Sequence, residues 1–152
     1  MYKTLTKKQM EECLTAQQGE IDAVYMYEKL AGKVKDEADK NAFIRLAGDE
    51  ARHAEVFRKH TNKDLKPKIT KGVVVPLMYR LLGKKKVYPI IAKAEYDAAE
   101  KYKHLLSDFP EVEAVMNDEV HHGDAVKGLL IRFLLQNGYF GKTGAAYGPD
   151  NG

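Results

Sequence analysis

A single cysteine and no tryptophan among 152 residues set the first limits on this chain. Cys13 alone cannot close an intrachain disulfide, and no metal site built from four thiolates can be assembled here. Its place among apolar helix positions reads as a buried structural thiol. Long apolar runs are also missing. The longest, residues 73–77 and 128–135, fall far short of the roughly 20 residues that a membrane-spanning helix needs. Pro76 and Arg132 interrupt them, so no transmembrane segment is expected. The start shows no basic stretch followed by an apolar one of the secretory kind, and the expectation is a cytoplasmic protein. Net charge is only +3. No aromatic platform or nucleic-acid motif accompanies the lysines, so no nucleic-acid partner is expected.

What is present is helical periodicity. Four segments carry apolar residues three and four apart. The first runs Met10, Cys13, Gln17, Glu20, Val24, Tyr27, Ala31, Val34. The second runs Phe43, Leu46, Glu50, His53, Phe57. The third runs Ile91, Glu95, Ala98, Tyr102, Leu105, and the fourth Val112, Val115, Glu119, His122, Val126, Leu129, Phe133. These stripes predict an all-α four-helix bundle in one domain spanning 1–152, with the bundle over about 6–137.

Thr6 and Gln9 form a capping-box pattern, with Leu5 and Met10 as a hydrophobic staple, so helix 1 starts after Thr6 and is expected to reach about Val34. Helix 2 follows a polar turn at 35–39 and ends near His60, making an antiparallel hairpin with helix 1. Residues 61–86 hold Pro67, Gly72, Pro76, Gly83 and seven lysines. This stretch reads as a long crossover between helices 2 and 3, with a short helix over 76–82 that has Pro76 in its first turn. Its lysines, Lys63, Lys66, Lys68, Lys71 and Lys84 to Lys86, read as a solvated surface, with docking of an acidic electron donor as the sharper alternative. Helix 3 is expected over 89–107. Asp108 is the expected cap of helix 4, with Pro110 in its first turn, and Gly138 suits the position just past its end. Residues 138–152 read as a flexible tail.

The two halves repeat each other. Glu20, Asp22, Ala23 and Tyr27 match Glu95, Asp97, Ala98 and Tyr102, and Asp49-Glu50-x-x-His53 matches Asp118-Glu119-x-x-His122. At about 1.5 Å per residue, the glutamates of each hairpin fall within about a turn of one level. One site can therefore draw on all four helices.

Each seam is apolar except near its middle, where it carries Glu20, Glu50 with His53, Glu95, and Glu119 with His122. Residues i and i+3 share a helix face, so each Glu-x-x-His can present a carboxylate and an imidazole to one ion. Buried carboxylates are too costly to keep without compensating charge, and neutral imidazole supplies none. Two divalent cations would balance the four carboxylates and use both imidazoles. A polar seam satisfied by water and hydrogen bonds is the plain alternative. Glu28, Glu55 and Glu100 fall off the seams and read as solvated.

Gly19-Glu20-x-x-Ala23-x-x-x-Tyr27, Asp49-Glu50-Ala51-Arg52-His53-Ala54-Glu55, Glu95 with Tyr102, and Asp118-Glu119-x-x-His122 resemble the ferritin-like superfamily. Within it the chain is most similar to rubrerythrin-like di-iron carboxylate proteins, over roughly 6–137. The resemblance implies two iron ions per chain, with manganese as the alternative metal. It makes Glu50 and Glu119 bridges, with Glu20 and His53 completing one ion and Glu95 and His122 the other. Asp49 and Asp118 become candidates to orient the imidazoles, with solvated helix-surface positions as the alternative, and Tyr27 and Tyr102 candidate donors to ligand carboxylates, with core packing as the alternative. Two features depart from full-length rubrerythrins. There is no rubredoxin-like domain with Cys-x-x-Cys pairs, and Ala98 stands where those enzymes place a further glutamate. With His122 as a second imidazole, the ligand set is closer to that of bacterioferritin.

The expected function is a non-haem di-iron oxidoreductase that reduces hydrogen peroxide or dioxygen. Its electrons would come from an external donor such as a rubredoxin-type protein or a reductase. The alternatives are ferrous-iron oxidation in iron handling, or an oxygenase of the quinone-hydroxylase type, for which an apolar face at 128–135 could meet a lipid substrate. A homo-oligomer is expected, a dimer first.

Overall fold

In the computed structural model, which describes residues 4–139, Thr6 opens the first helix. Its hydroxyl accepts from Gln9 N at 3.2 Å and the Gln9 side chain accepts from Thr6 N at 2.9 Å, so two end donors are satisfied reciprocally. Helix α1 spans Lys7–Ala31 and α2 spans Glu37–Thr61. Asp36 caps α2 by accepting from Ala38 N and Asp39 N. It is also clamped by Arg132 at 2.7 and 2.8 Å. The first helix stops three residues short of the expected end: Gly32 closes it, and Val34 is buried in the turn rather than on the helix.

Helix α3 spans Thr70–Leu82, α4 spans Lys84–Tyr102 and α5 spans Val112–Gln136. Among the described residues there is no strand. α1 and α2 form one hairpin, α4 and α5 the other, and α2 packs on α5. This is the expected all-α, ferritin-like arrangement of four long helices with a crossover between the second and third.

The crossover is more helical than the sequence suggested. α3 has 13 residues and Pro76 lies inside it, not in its first turn. Gly72 and Pro76 are buried where α3 lies across α1. A Cβ on Gly72 would come within 2.2 Å of the Tyr25 ring, so only glycine permits this approach. Burial of that face offsets the backbone bond that Pro76 cannot make. Before α3, the extended stretch after Thr61 is tied to α1 by side chains. Gln17 donates to Lys63 O at 2.8 Å and Gln18 to Lys66 O at 3.0 Å, while Asp22 accepts from Lys68 N at 2.7 Å.

α3 and α4 are separated by one residue, Gly83, at φ +73°, a conformation glycine adopts without steric cost. α4 therefore begins at Lys84 rather than Pro89, and Pro89 lies inside it. It ends at Tyr102, continued by a short 3-10 turn, Lys103–Leu105. Asp108 does not cap α5: that helix starts at Val112, with Glu111 in the cap position and no side-chain cap bond. Gly138, at φ +69°, follows the last turn as expected. The remainder of the expected flexible tail, 140–152, lies outside the described residues.

Three lysines at an α4 N-terminus oppose the helix dipole. The structure resolves this at Lys84, which the sequence reading assigned to a solvated surface. Lys84 Nζ lies 2.6 Å from Asp39 Oδ2, and the Tyr88 hydroxyl donates to the same oxygen at 2.6 Å. Asp39 is buried, so this pair pins the start of α4 to the start of α2.

Apolar packing divides into two clusters. One gathers Tyr27, Leu30, Phe43, Tyr88, Ile91 and Val126, with Leu129 and Leu130 packed against it. The other gathers Cys13, Phe57, Leu105, Phe109, Val112 and Val115. Burial pushes the Cys13 thiol up to about 11, which keeps it protonated and inert.

Removing one partner from a buried ion pair strands the other. Asp39→Ala is therefore expected to lower the stability of the fold by about 3 kcal/mol in urea denaturation. A loss below about 1 kcal/mol would show that Lys84 escapes to solvent.

Candidate metal centre

A polar layer lies between the two apolar clusters, and every long helix contributes to it. α1 brings Glu20, α2 Glu50 and His53, α4 Glu95, and α5 Glu119 and His122, all six buried. The helices fix these positions because each residue sits on the seam that faces the other hairpin. The two rings lie near each other, with centroids 5.4 Å apart and planes 23° from parallel.

The contacts cross between hairpins. His53 Nδ1 lies 2.9 Å from Glu119 Oε1, 3.5 Å from Glu50 Oε2 and 3.7 Å from Glu20 Oε2. His122 Nδ1 lies 2.9 Å from Glu50 Oε1 and 3.9 Å from Glu95 Oε2. Glu50 thus approaches both imidazoles. Ligand-capable atoms of Glu50, His53, Glu119 and His122 all lie within 4.8 Å of one another.

The far side of each ring is held as well. His53 Nε2 lies 3.1 Å from Asp118 Oδ2 and His122 Nε2 lies 3.1 Å from Asp49 Oδ2. A carboxylate oxygen only accepts, so Nε2 of each ring carries a proton, and Nδ1 of each ring faces into the layer. Both tyrosines also cross over. The Tyr27 hydroxyl donates to Glu95 and the Tyr102 hydroxyl to Glu20. Burial raises both phenols well above their usual range, and the neighbouring glutamates add to it. Both therefore remain donors.

Four atoms aimed at the centre of the layer have no hydrogen-bond partner: Glu50 Oε1, His53 Nδ1, Glu119 Oε1 and His122 Nδ1. In two places an imidazole nitrogen faces a carboxylate oxygen at 2.9 Å without a bond between them. Lone pairs at that distance repel unless a proton or a cation lies between them. The residues fit a metal: oxygen and imidazole donors without thiolate suit iron, manganese or zinc. Protons compete for the same atoms. Burial, with Glu95, Glu20 and Glu50 adding to it against the pull of the nearby His53 ring, pushes Glu119 up to about 10. Burial, and then Glu20, raises Glu50 well above the usual carboxylate range. At His53 burial disfavours the charged ring, but Glu119, Glu20 and Glu50 outweigh it and raise its affinity for protons. At His122 burial prevails and lowers it.

Beside the layer, between α1 and α4, opens a cleft of about 1080 Å³. Glu20, Glu50, Glu95 and Glu119 line its inner end. Its walls carry small residues, among them Gly19, Ala23 and Ala98, and a Cβ on Gly19 would touch nothing within 4 Å. Ala98 was expected on the core seam, but Ala99 is the buried residue and Ala98 faces the cleft. Small residues at 16, 19 and 23 and at 94 and 98 were the available signal for this opening. Glu28, Glu55 and Glu100 are exposed, as expected.

The family model for rubrerythrin matches residues 13–130, a span that contains all six buried Glu and His residues of the layer. No curated protein and no solved structure matches the chain.

Burial pushes the Glu119 carboxyl up from an ordinary 4.5 to about 10. A group raised in this way stabilises the fold fully below about pH 4.5, and the contribution is lost as pH rises toward about 10. Metal-free protein should therefore melt at progressively lower temperature from about pH 6 to about pH 9, and Glu119→Gln should flatten that slope. Metal-loaded protein should instead lose stability on acidification, as protons displace the metal. Parallel melting curves check this. Identical slopes for the two forms would argue against a shared carboxylate cluster.

Proposed function

Because the chain belongs to the rubrerythrin family, we propose that it is a di-iron oxidoreductase that reduces hydrogen peroxide or dioxygen with electrons from an external donor. Family membership and the buried cluster of glutamates and histidines fit a di-iron protein. The observation that carries the reading further is the set of four unpartnered lone-pair atoms converging in the layer. In this reading Glu50 and Glu119 would be shared between the two ions, with Glu20 and His53 helping to hold one and Glu95 and His122 the other. When bound, the two irons supply two-electron reduction of a small oxidant.

The protein's own residues have four tasks. Four carboxylates supply the negative charge that two divalent ions require. Asp118 and Asp49 hold the tautomer that leaves Nδ1 of His53 and His122 free to bind. Tyr102 and Tyr27 fix the carboxylates of Glu20 and Glu95 from the opposite hairpin, so each terminal ligand is held by the other half of the bundle. The apolar clusters close the layer above and below along the bundle, and the cleft opens onto its glutamates. Within these residues Cys13 cannot hold an iron–sulfur relay, and a rubredoxin-type protein or a reductase is the proposed electron donor.

The cleft favours a second reading. At about 1080 Å³ it far exceeds the size of peroxide and is wide enough for an organic molecule. An oxygenase acting on an organic substrate would use that space.

Anaerobic reconstitution with ferrous iron should give two ions per chain. Glu50→Ala and Glu119→Ala should each lose both, while His53→Ala and His122→Ala should weaken one more than the other. Stoichiometry near zero in the unaltered protein would overturn the metal assignment.

Stopped-flow oxidation of the reduced protein separates the two readings. Peroxide should react faster than dioxygen, and turnover should need an added donor. Ala98→Phe should narrow the cleft yet leave the peroxide rate within about threefold, because peroxide is far smaller than the opening. A hydroxylated organic product that disappears in Ala98→Phe would favour the oxygenase.

A further inference from the structure

Charge is unevenly distributed along this chain. Residues 65–94 hold seven lysines and Arg80 without a single aspartate or glutamate. The rest of the chain holds 17 of the 25 lysines and arginines and all 22 acidic residues. The same segment carries exposed aliphatic side chains. On α3 each residue turns by about 100°, which places Val73, Val74, Leu77 and Leu81 on one strip about 100° wide, flanked by Lys71 and Arg80. These four are 53%, 45%, 50% and 71% exposed. The opposite face of α3, at Gly72 and Pro76, is the one buried in the protein.

We propose that the outer face of α3 docks the protein on the surface of an anionic phospholipid bilayer, with the helix lying in the headgroup plane. A cationic rim around an aliphatic strip is complementary to such a surface. Protein interfaces concentrate aromatic residues and are depleted in lysine, whereas this strip is aliphatic and its surroundings are lysine-rich. A second copy docked face to face would oppose Lys71 and Arg80, which flank the strip, with the same two cations. Docking here is peripheral, since no helix among the described residues is long and apolar enough to cross a membrane. Lys71 and Val75 also line the cleft, so docking brings the cleft beside the bilayer. The proposal is independent of the metal chemistry.

The test is vesicle flotation of the full-length chain. Vesicles of phosphatidylcholine alone are compared with vesicles containing one third phosphatidylglycerol. Binding to the anionic vesicles should exceed binding to the neutral ones by at least about tenfold and should weaken with salt. Leu77→Asp with Leu81→Asp should lower it by about tenfold or more, with unchanged helical circular dichroism. Lys68→Glu with Lys86→Glu alters only exposed side chains, and should lower it by a comparable factor without disturbing the fold. Failure to float with anionic vesicles at low salt would overturn the proposal, as would equal binding to both vesicle types. A dimer that the Leu77→Asp, Leu81→Asp pair converts to monomer, without vesicle binding by either form, would assign the face to a second copy. Salt-sensitive capture by an acidic rubredoxin-type protein, without vesicle binding, would assign it to a protein partner.

Discussion

Four buried glutamates in one layer are the constraint on which the rest of this structure depends. Carboxylates in an apolar interior repel one another and have lost their water. They persist only with protons or cations among them. The fold encloses them between an apolar cluster around Phe43 and Tyr88 and another around Phe57 and Val112. Those clusters hold the helices together, and the layer between them remains available for chemistry. The division separates stability from function along the bundle axis.

The internal repeat supplies the bracing. Each imidazole is held by an aspartate of the other hairpin, and each outer glutamate by a tyrosine of the other hairpin. No hairpin can position its own share of the site alone. The two imidazoles and the two outer glutamates are thus each fixed by a hydrogen bond behind them, which holds their geometry against a change of charge in the layer.

Symmetry is broken by the crossover. α3 lies over α1 through the contact of Gly72 with Tyr25, and Gly83 turns the chain directly into α4. The lysines at the start of α4 would strain that junction, and the buried Asp39 and Tyr88 absorb one of them. The aliphatic strip of α3 faces outward, flanked by Lys71 and Arg80. Between α1 and α4, small residues leave the cleft that gives the layer its opening.

Much of this was legible in the amino-acid sequence. Periodicity identified four long helices, and the polar breaks in their seams identified Glu20, Glu50, His53, Glu95, Glu119 and His122, because buried charge is rare enough to stand out against an apolar stripe. The capping box at Thr6 and the glycine at 138 were equally readable, since both act through bonds to near neighbours. Tertiary structure alone decided which hairpin braces which. It also decided that Lys84 pairs inside the protein, that helix continues through Pro76 and Pro89, and that Ala98 faces a cleft. Each of these depends on contacts between residues far apart in the chain, and local propensity carries no information about such partners. A proline or a lysine states its own preference in the sequence, and only packing against the rest of the molecule determines whether that preference is obeyed.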